Sequence, residues 1–139
     1  MKIWNISSGT LKYTFNSTNG GHTDKITALA SLDGSLLASG SADRTVKIWN
    51  ITSGTLIYSF DSSNGGHTGA ITGLTPLGNN LLTSEASDNA IKIWDVSMGA
   101  LKYTSVDRST QINAMASLGN NWMASAANDT SVKVWLING

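Results

Sequence analysis

The 139-residue chain contains no cysteine, one glutamate and two arginines. Without cysteine it can form neither a disulfide framework nor a thiolate metal site, and it has no thiol nucleophile. Nine lysines and arginines balance nine aspartates and glutamates, and the basic residues are scattered. This pattern argues against a nucleic acid or an anionic membrane as partner. No stretch is apolar for long enough to form a transmembrane span or the core of a signal peptide, so we expect a one-domain, intracellular, cytoplasmic protein.

A unit of about 45 residues recurs along the chain. It is marked by four tryptophans, Trp4, Trp49, Trp94 and Trp135, whose separations are 45, 45 and 41 residues. An aspartate lies six residues before each of the last three tryptophans, at Asp43, Asp88 and Asp129. His22 and His67 each lie 27 residues before a tryptophan. A period of this length is the signature of a repeat architecture.

Each complete unit predicts four short β-strands, because alternating or small-residue apolar runs are separated by turn signals. The predicted first strands are 26–30, 71–74 and 112–116, and the second strands are 36–41, 81–86 and 122–127. The third strands are 46–49, 91–94 and 132–135, and the fourth are 11–15, 56–60 and 101–105. The second strands are rich in small residues, which favours burial on both faces. No helical stripe competes, so the predicted fold class is all-β.

The paired landmarks of two units resemble those of the WD-repeat family. They are Gly21-His22, Asp43 and Trp49-Asn50 in one unit, and Gly66-His67, Asp88 and Trp94-Asp95 in the next. The resemblance covers essentially the whole chain and implies WD-repeat β-propeller blades, about three four-stranded antiparallel sheets in an incomplete ring. It divides the single region 1–139 into a partial blade (1–20, third and fourth strands), repeat 1 (21–65), repeat 2 (66–106) and repeat 3 (107–139, without its fourth strand).

The resemblance also implies a structural hydrogen-bond clamp in each unit. The turn aspartate accepts from the histidine, which reaches a hydroxyl that bonds the indole N–H of the tryptophan. The implied members are His22, Ser39, Asp43 and Trp49; then His67, Ser84, Asp88 and Trp94; and then Ser125, Asp129 and Trp135. Arg108 stands where the third unit lacks a histidine, and we expect it to pair with Asp129. Buried indole and imidazole groups are costly without partners, so the clamp is expected to stabilise the fold.

Two enzymatic or metal-binding alternatives compete with this interpretation. His22 and His67 could hold a metal, but they are equivalent positions of neighbouring units and lack a convergent third ligand. Ser41 and Asp43 suggest the Asp-box of sialidase-type propellers, but that chemistry needs facing carboxylates or a tyrosine with arginines. Glu85 is the only glutamate. We therefore predict that the protein is not an enzyme and has no catalytic residue, metal or cofactor.

The remaining function is a non-enzymatic scaffold for protein–protein interaction, whose partners are other proteins or peptides. By the resemblance, contacts come from the rim beside the clamp, and the candidate binding residues are Lys25, Gln111 and Asn128. The alternative is a fragment or assembly unit of a larger propeller, with no independent binding function. In that case the chain is expected to form a homo-oligomer that completes the propeller ring.

Overall fold

The computed structural model describes residues 1–106 and 110–137, which contain 13 β-strands in four antiparallel sheets. The partial blade is β1 (Lys2–Asn5) and β2 (Thr10–Thr14). The first blade is β3 (Ile26–Ser31), β4 (Leu36–Ser41), β5 (Val46–Asn50) and β6 (Thr55–Phe60). The second blade is β7 (Ile71–Gly78), β8 (Leu81–Ala86), β9 (Ala90–Asp95) and β10 (Ala100–Val106). The third blade is β11 (Ile112–Gly119), β12 (Trp122–Ala127) and β13 (Val132–Leu136).

In every sheet, strands that follow one another in the chain are hydrogen-bonded neighbours. The all-β prediction is therefore confirmed, and the described sheets do not close into a ring. No helix of the described residues is long and apolar enough to span a bilayer.

The first strands of the second and third blades are longer than predicted. Both run directly into two-residue hairpin turns, formed by Asn79-Asn80 and Asn120-Asn121. All four asparagines have positive φ. Asparagine tolerates this left-handed conformation, and a turn with both central residues there matches the twist of the flanking strands. Pairing therefore continues up to the turn.

Two short 3₁₀ turns, Ser17–Asn19 and Ser62–Asn64, are additions that the strand pattern does not predict. Each is capped by the side chain before it: Asn16 accepts from the backbone of Thr18, and Asp61 accepts from that of Ser63. These turns lead from one sheet to the next. They therefore set the approach of the segment that carries each histidine.

The hydrophobic core lies between consecutive sheets. Between the first and second blades it includes Ile48, Phe60, Ile71, Leu82 and Trp94, each at most 1% exposed. Between the second and third blades it includes Leu81, Ile91, Ile93, Ile112 and Met123. Because apolar burial stabilises in proportion to area, each sheet depends on its neighbour for much of its stability.

Aromatic contacts repeat at the blade interfaces. Phe15 packs on Trp49 with ring centroids 4.3 Å apart, and Phe60 packs on Trp94 at 4.2 Å. Tyr13 donates a hydrogen bond to the carbonyl oxygen of Thr52, at 2.7 Å. Tyr58 donates to the carbonyl of Ser97 in the next blade, at 3.4 Å. Each aromatic pair thus joins the fourth strand of one sheet to the sheet that follows.

The third blade differs from the others in burial. The predicted second strand 122–127 is not buried on both faces, because Trp122 is 43% exposed. Trp122 faces away from the second blade, on a side that no sheet of the described residues covers. In contrast, every residue of β8 is buried between the first and third blades.

Candidate interaction rim and its hydrogen-bond clamps

One edge of the blades, which we call the rim, is formed by two segments of each unit. They are the turn between the second and third strands (42–45, 87–89 and 128–131) and the segment before the first strand (22–25, 67–70 and 110–111). Backbone hydrogen bonds join the two segments in every blade: Ala42 to Lys25 and Ser87 to Ala70, both 2.8 Å, and Asn128 to Gln111, 3.0 Å. The rim is thus one continuous hydrogen-bonded surface within each unit.

In the first blade the four predicted clamp side chains lie together. His22 Nδ1 is 2.9 Å from Asp43 Oδ2, and His22 Nε2 is 2.8 Å from Ser39 Oγ. The indole nitrogen of Trp49 donates to the same Ser39 hydroxyl at 2.8 Å. Because Ser39 Oγ accepts from the indole, its own proton can be donated to Nε2, which leaves the proton of the neutral imidazole on Nδ1, facing Asp43.

The charge states of the first clamp follow from its burial. Burial lowers the pKa of His22 below its ordinary value of 6.5, in spite of the neighbouring Asp43 carboxylate. Burial alone would raise the pKa of Asp43, but hydrogen bonds from Thr45 and Thr23 outweigh it and lower that pKa to about 2. At neutral pH the pair is therefore a carboxylate and a neutral imidazole. A carboxylate held by several donors fixes the turn in place.

The second blade repeats this arrangement. Nδ1 of His67 is 3.0 Å from both oxygens of Asp88, and Nε2 is 2.7 Å from Ser84 Oγ, to which Trp94 donates at 2.8 Å. Burial lowers the pKa of His67. Asp88 also accepts from the backbone N–H of Thr68, at 2.8 Å. The carboxylate therefore joins the turn to the segment before the first strand.

The third blade contains half of a clamp within the described residues. Trp135 donates to Ser125 Oγ at 2.9 Å. Asp129 accepts from the backbone N–H of Ser131 at 3.0 Å and from the Thr110 hydroxyl at 3.4 Å. Hydrogen bonding from Ser131 lowers the pKa of Asp129. Arg108 lies outside the described residues, so its pairing with Asp129 stays a prediction.

The three predicted binding residues are all exposed on the rim, but they do not form one group. Gln111 and Asn128 are adjacent in the third blade, where the amide of Asn113 also donates to Asn128 Oδ1 at 2.7 Å. Lys25 lies two blades away, in the first blade, and its backbone N–H donates to Asp24. A ligand that contacts all three would have to extend along the rim.

Arg44 is a rim residue that the family positions do not include. It follows Asp43, is exposed and has φ of +70°, a conformation in which the second blade has Asn89 and the third has Thr130. It also lines a groove of about 200 Å³ between the first and second blades, together with Asp61 and Thr68. Arginine is enriched among residues that dominate binding energy. The signal in the sequence was a long cation at a turn position that favours asparagine.

No group of three or more histidine, aspartate or glutamate side chains in the described part of the chain is arranged to hold a metal ion. The two histidines each face a serine and an aspartate of their own blade. The arrangement can hold a turn rigidly. Ser39 and Ser84 each lie beside a histidine that faces an aspartate, but both serines are fully buried and accept a hydrogen bond from an indole N–H, so neither is open to a substrate.

The profile of the family described as WD domain, G-beta repeat, matches residues 9–50 and 54–95. Two similar solved structures are computationally designed proteins, Ika8 (34% identity, TM-score 0.82) and Ika4 (34%, 0.83). The matches cover 98% of this chain and 39% of Ika8, and 99% of this chain and 79% of Ika4. The structure of the RRP9 WD40 repeats is also similar (27%, 0.85), with 98% of this chain and 41% of that chain covered. The chain thus spans less than half the length of Ika8 and RRP9, and no curated protein sequence matches it.

Proposed function

Because the chain belongs to the WD domain, G-beta repeat family, we propose that it is a non-enzymatic scaffold that binds a protein or peptide along its rim. Repeats of this family are in general protein-interaction scaffolds. The observation that carries the proposal is the pair of complete clamps, which hold the rim of the first and second blades at fixed geometry.

A rim fixed in this way favours binding for an energetic reason. Association orders loops and side chains at an interface, and a surface that is already ordered loses less conformational entropy when the partner arrives. The complete clamp of the first blade fixes the rim that carries the exposed residues Lys25 and Arg44. Gln111 and Asn128 are exposed on the rim of the third blade, where hydrogen bonds between the two side chains and from Asn113 hold them. Binding residues are found disproportionately on loops that a rigid scaffold positions, as these rim segments are.

The test is selection of peptides from a random displayed library against the folded chain, followed by affinity measurement. We expect Arg44→Ala or Asn128→Ala to weaken the selected peptides about fivefold or more, the loss typical of a residue worth more than about 1 kcal/mol. Ser53→Ala is the matched control, because Ser53 lies in a turn at the opposite edge of the first blade. Equal weakening by Ser53→Ala, or enrichment only against unfolded chain, would overturn the proposal.

A second candidate function is that of an assembly unit. The observation that favours it is the exposed apolar side of the third blade, where Val132 is 70% and Val134 58% exposed. Apolar surface of this kind marks an interaction site or an aggregation hazard.

A further inference from the structure

The exposed side of the third blade, which we call the outer face, has the composition of a blade interface. Its exposed residues are Leu118 (55%), Trp122 (43%), Val132 (70%) and Val134 (58%). These four occupy the repeat positions of Leu77, Leu81, Ile91 and Ile93. Those four residues of the second blade are at most 6% exposed, because the third blade packs on them. In a longer array, the next blade would cover the outer face. The matching surface is therefore the side of a blade that packs on the preceding blade, as the third blade packs on the second.

The chain itself presents such a surface at its opposite end, which we call the leading face. The partial blade contributes only two strands, so Leu29 on β3 is 56% exposed, whereas its counterpart Leu74 packs into the core of the first interface. Trp4 is 54% exposed, whereas Trp49 and Trp94 are fully buried. The leading face thus lacks a preceding blade to cover it. The outer face of a third blade is the kind of surface that a preceding blade would supply.

The kinds of strand in the third blade and in the partial blade also fit together. The third blade has its first three strands in the described residues, and the partial blade has strands of the third and fourth kinds. Within complete blades, a lysine on the third strand donates to a hydroxyl on the fourth: Lys47 to Ser59 at 2.9 Å, and Lys92 to Thr104 at 3.2 Å. By repeat register, Lys133 on β13 and Thr14 on β2 occupy the corresponding positions. β2 therefore has the side chains of a fourth strand for the third blade.

β1 and β13 compete for the same edge of β2, because each is a third strand and a fourth strand pairs with one third strand. One of them must therefore leave that edge. β13 is held by its five pairs with β12 and by the bond from Trp135 to Ser125. Among the strands of residues 1–106 and 110–137, β1 pairs only with β2, and Trp4 remains half exposed. The weaker attachment is that of β1.

We propose that two copies of this chain associate head to tail. In each copy β2 separates from β1 and pairs with β13 of the other copy, so that it becomes the fourth strand of that copy's third blade. Three blades from each of two copies make a ring of six, within the range of about four to eight blades that propellers use. The outer face of each copy then covers the leading face of its partner. A closed ring of this kind leaves no unpaired fourth-strand edge.

The first test is the mass of the chain in solution, measured by light scattering after size exclusion over a hundredfold concentration range. We expect twice the chain mass of 14.6 kDa. Val134→Lys should give a single-chain mass, because it places a charge in the proposed interface at a residue already 58% exposed in the single chain. Ile57→Lys is the matched control: Ile57 is 42% exposed, and Lys12 and Lys102 stand at its position in the other units.

A single-chain mass for the wild type at every concentration would overturn the proposal, and so would a Val134→Lys variant that still pairs. Open-ended oligomers larger than a pair would overturn the closed ring. Rim variants such as Asn128→Ala should keep the paired mass, so a failure of rim binding and a failure of pairing are distinguishable.

The second test addresses the strand exchange. The chain has no native cysteine, so the variant carrying both Lys133→Cys and Thr14→Cys should form an intermolecular disulfide under mild oxidation. Directly opposed residues of an antiparallel pair have Cα atoms about 4.5–5.5 Å apart, which lies within the range that a disulfide spans. Each single-cysteine variant should remain unlinked. A paired mass without cross-linking of the double variant would refute the exchange of β2.

Discussion

Replacing Glu85 with glutamine should stabilise the protein at pH 8 and leave its stability nearly unchanged at pH 4. Glu85 is 6% exposed on β8, and its Oε2 atom has no hydrogen-bond partner among the described residues. Its other carboxylate oxygen lies over Gly73, where an added Cβ would overlap it. The equivalent positions of the other blades are Gly40 and Ala126, so the carboxyl group is peculiar to the second blade.

The magnitude follows from the cost of ionising this group in place. Burial raises the pKa of Glu85 from its ordinary value of 4.5 to about 7. The folded protein therefore holds the proton more tightly than the unfolded chain. The stability gained from that proton is fully present below pH 4.5 and is lost as the pH rises through 7. The difference amounts to about 3 kcal/mol, at about 1.4 kcal/mol for each unit of pKa.

The assay is urea denaturation followed by tryptophan fluorescence, at one protein concentration, between pH 4 and pH 8. The quantity to compare is the free energy of unfolding of Glu85→Gln minus that of the wild type. The histidine and aspartate clamps titrate in both proteins, so their contributions cancel in this difference. Asp33→Asn makes the same charge change at an exposed site and should give a small difference at every pH. A Glu85→Gln difference that does not change with pH would refute the reasoning.

Three further substitutions test the clamp, a blade contact and a turn. Asp43→Ala and Asp88→Ala should each cost about 1–3 kcal/mol of unfolding free energy in thermal melts, since each leaves buried donors without an acceptor. Gly99→Ala should destabilise by about 1–2 kcal/mol in urea, because Gly99 has φ of +66° and an added Cβ would overlap the Tyr58 ring. Arg44→Asn should stabilise by about 0.5–1 kcal/mol and raise the melting temperature, because asparagine tolerates positive φ.

The clamp and glycine substitutions have matched controls, and each of the three tests has a result that would contradict it. Asp33→Ala removes an exposed carboxylate, and melting of Asp43→Ala at the wild-type temperature would contradict the clamp. Gly9→Ala has nearly the same backbone, with φ of +68°, and nothing within 4 Å of the added Cβ. Equal losses for Gly9→Ala and Gly99→Ala would show that Tyr58 does not contribute. A lower melting temperature for Arg44→Asn would mean that the arginine side chain stabilises the turn.

The strands were predictable because their signals are local. Alternating apolar residues and the asparagine and glycine turns determine each hairpin within about 20 residues. The 3₁₀ turns were not, since Asn16 and Asp61 act through side-chain bonds that leave no periodic signal. The exposure of Trp122 depends on what lies against a whole sheet. No pattern within its own strand encodes that neighbour.

The candidate site was predictable to a different extent. The clamp members lie at constant spacing, so the resemblance located the side chains that the structure brings together in the first two blades. The arrangement of the rim residues was harder to predict from the sequence, because the adjacency of Gln111 and Asn128 depends on the pairing of two segments. Arg44 was missed because its importance comes from a groove between blades and from a backbone angle.

The hydrogen bonds between blades have a consequence for how the chain folds. Tyr13 to Thr52 and Tyr58 to Ser97 each span 39 residues, and Thr27 to Ile71 spans 44. The entropy lost in closing a loop depends on its length, so the docking of each blade carries about the same loop-closure cost wherever it lies in the array. The average sequence separation of native contacts, relative to chain length, would fall if further blades of this kind were joined. Folding can therefore nucleate in any complete blade and spread to its neighbours, and lengthening the array need not slow it.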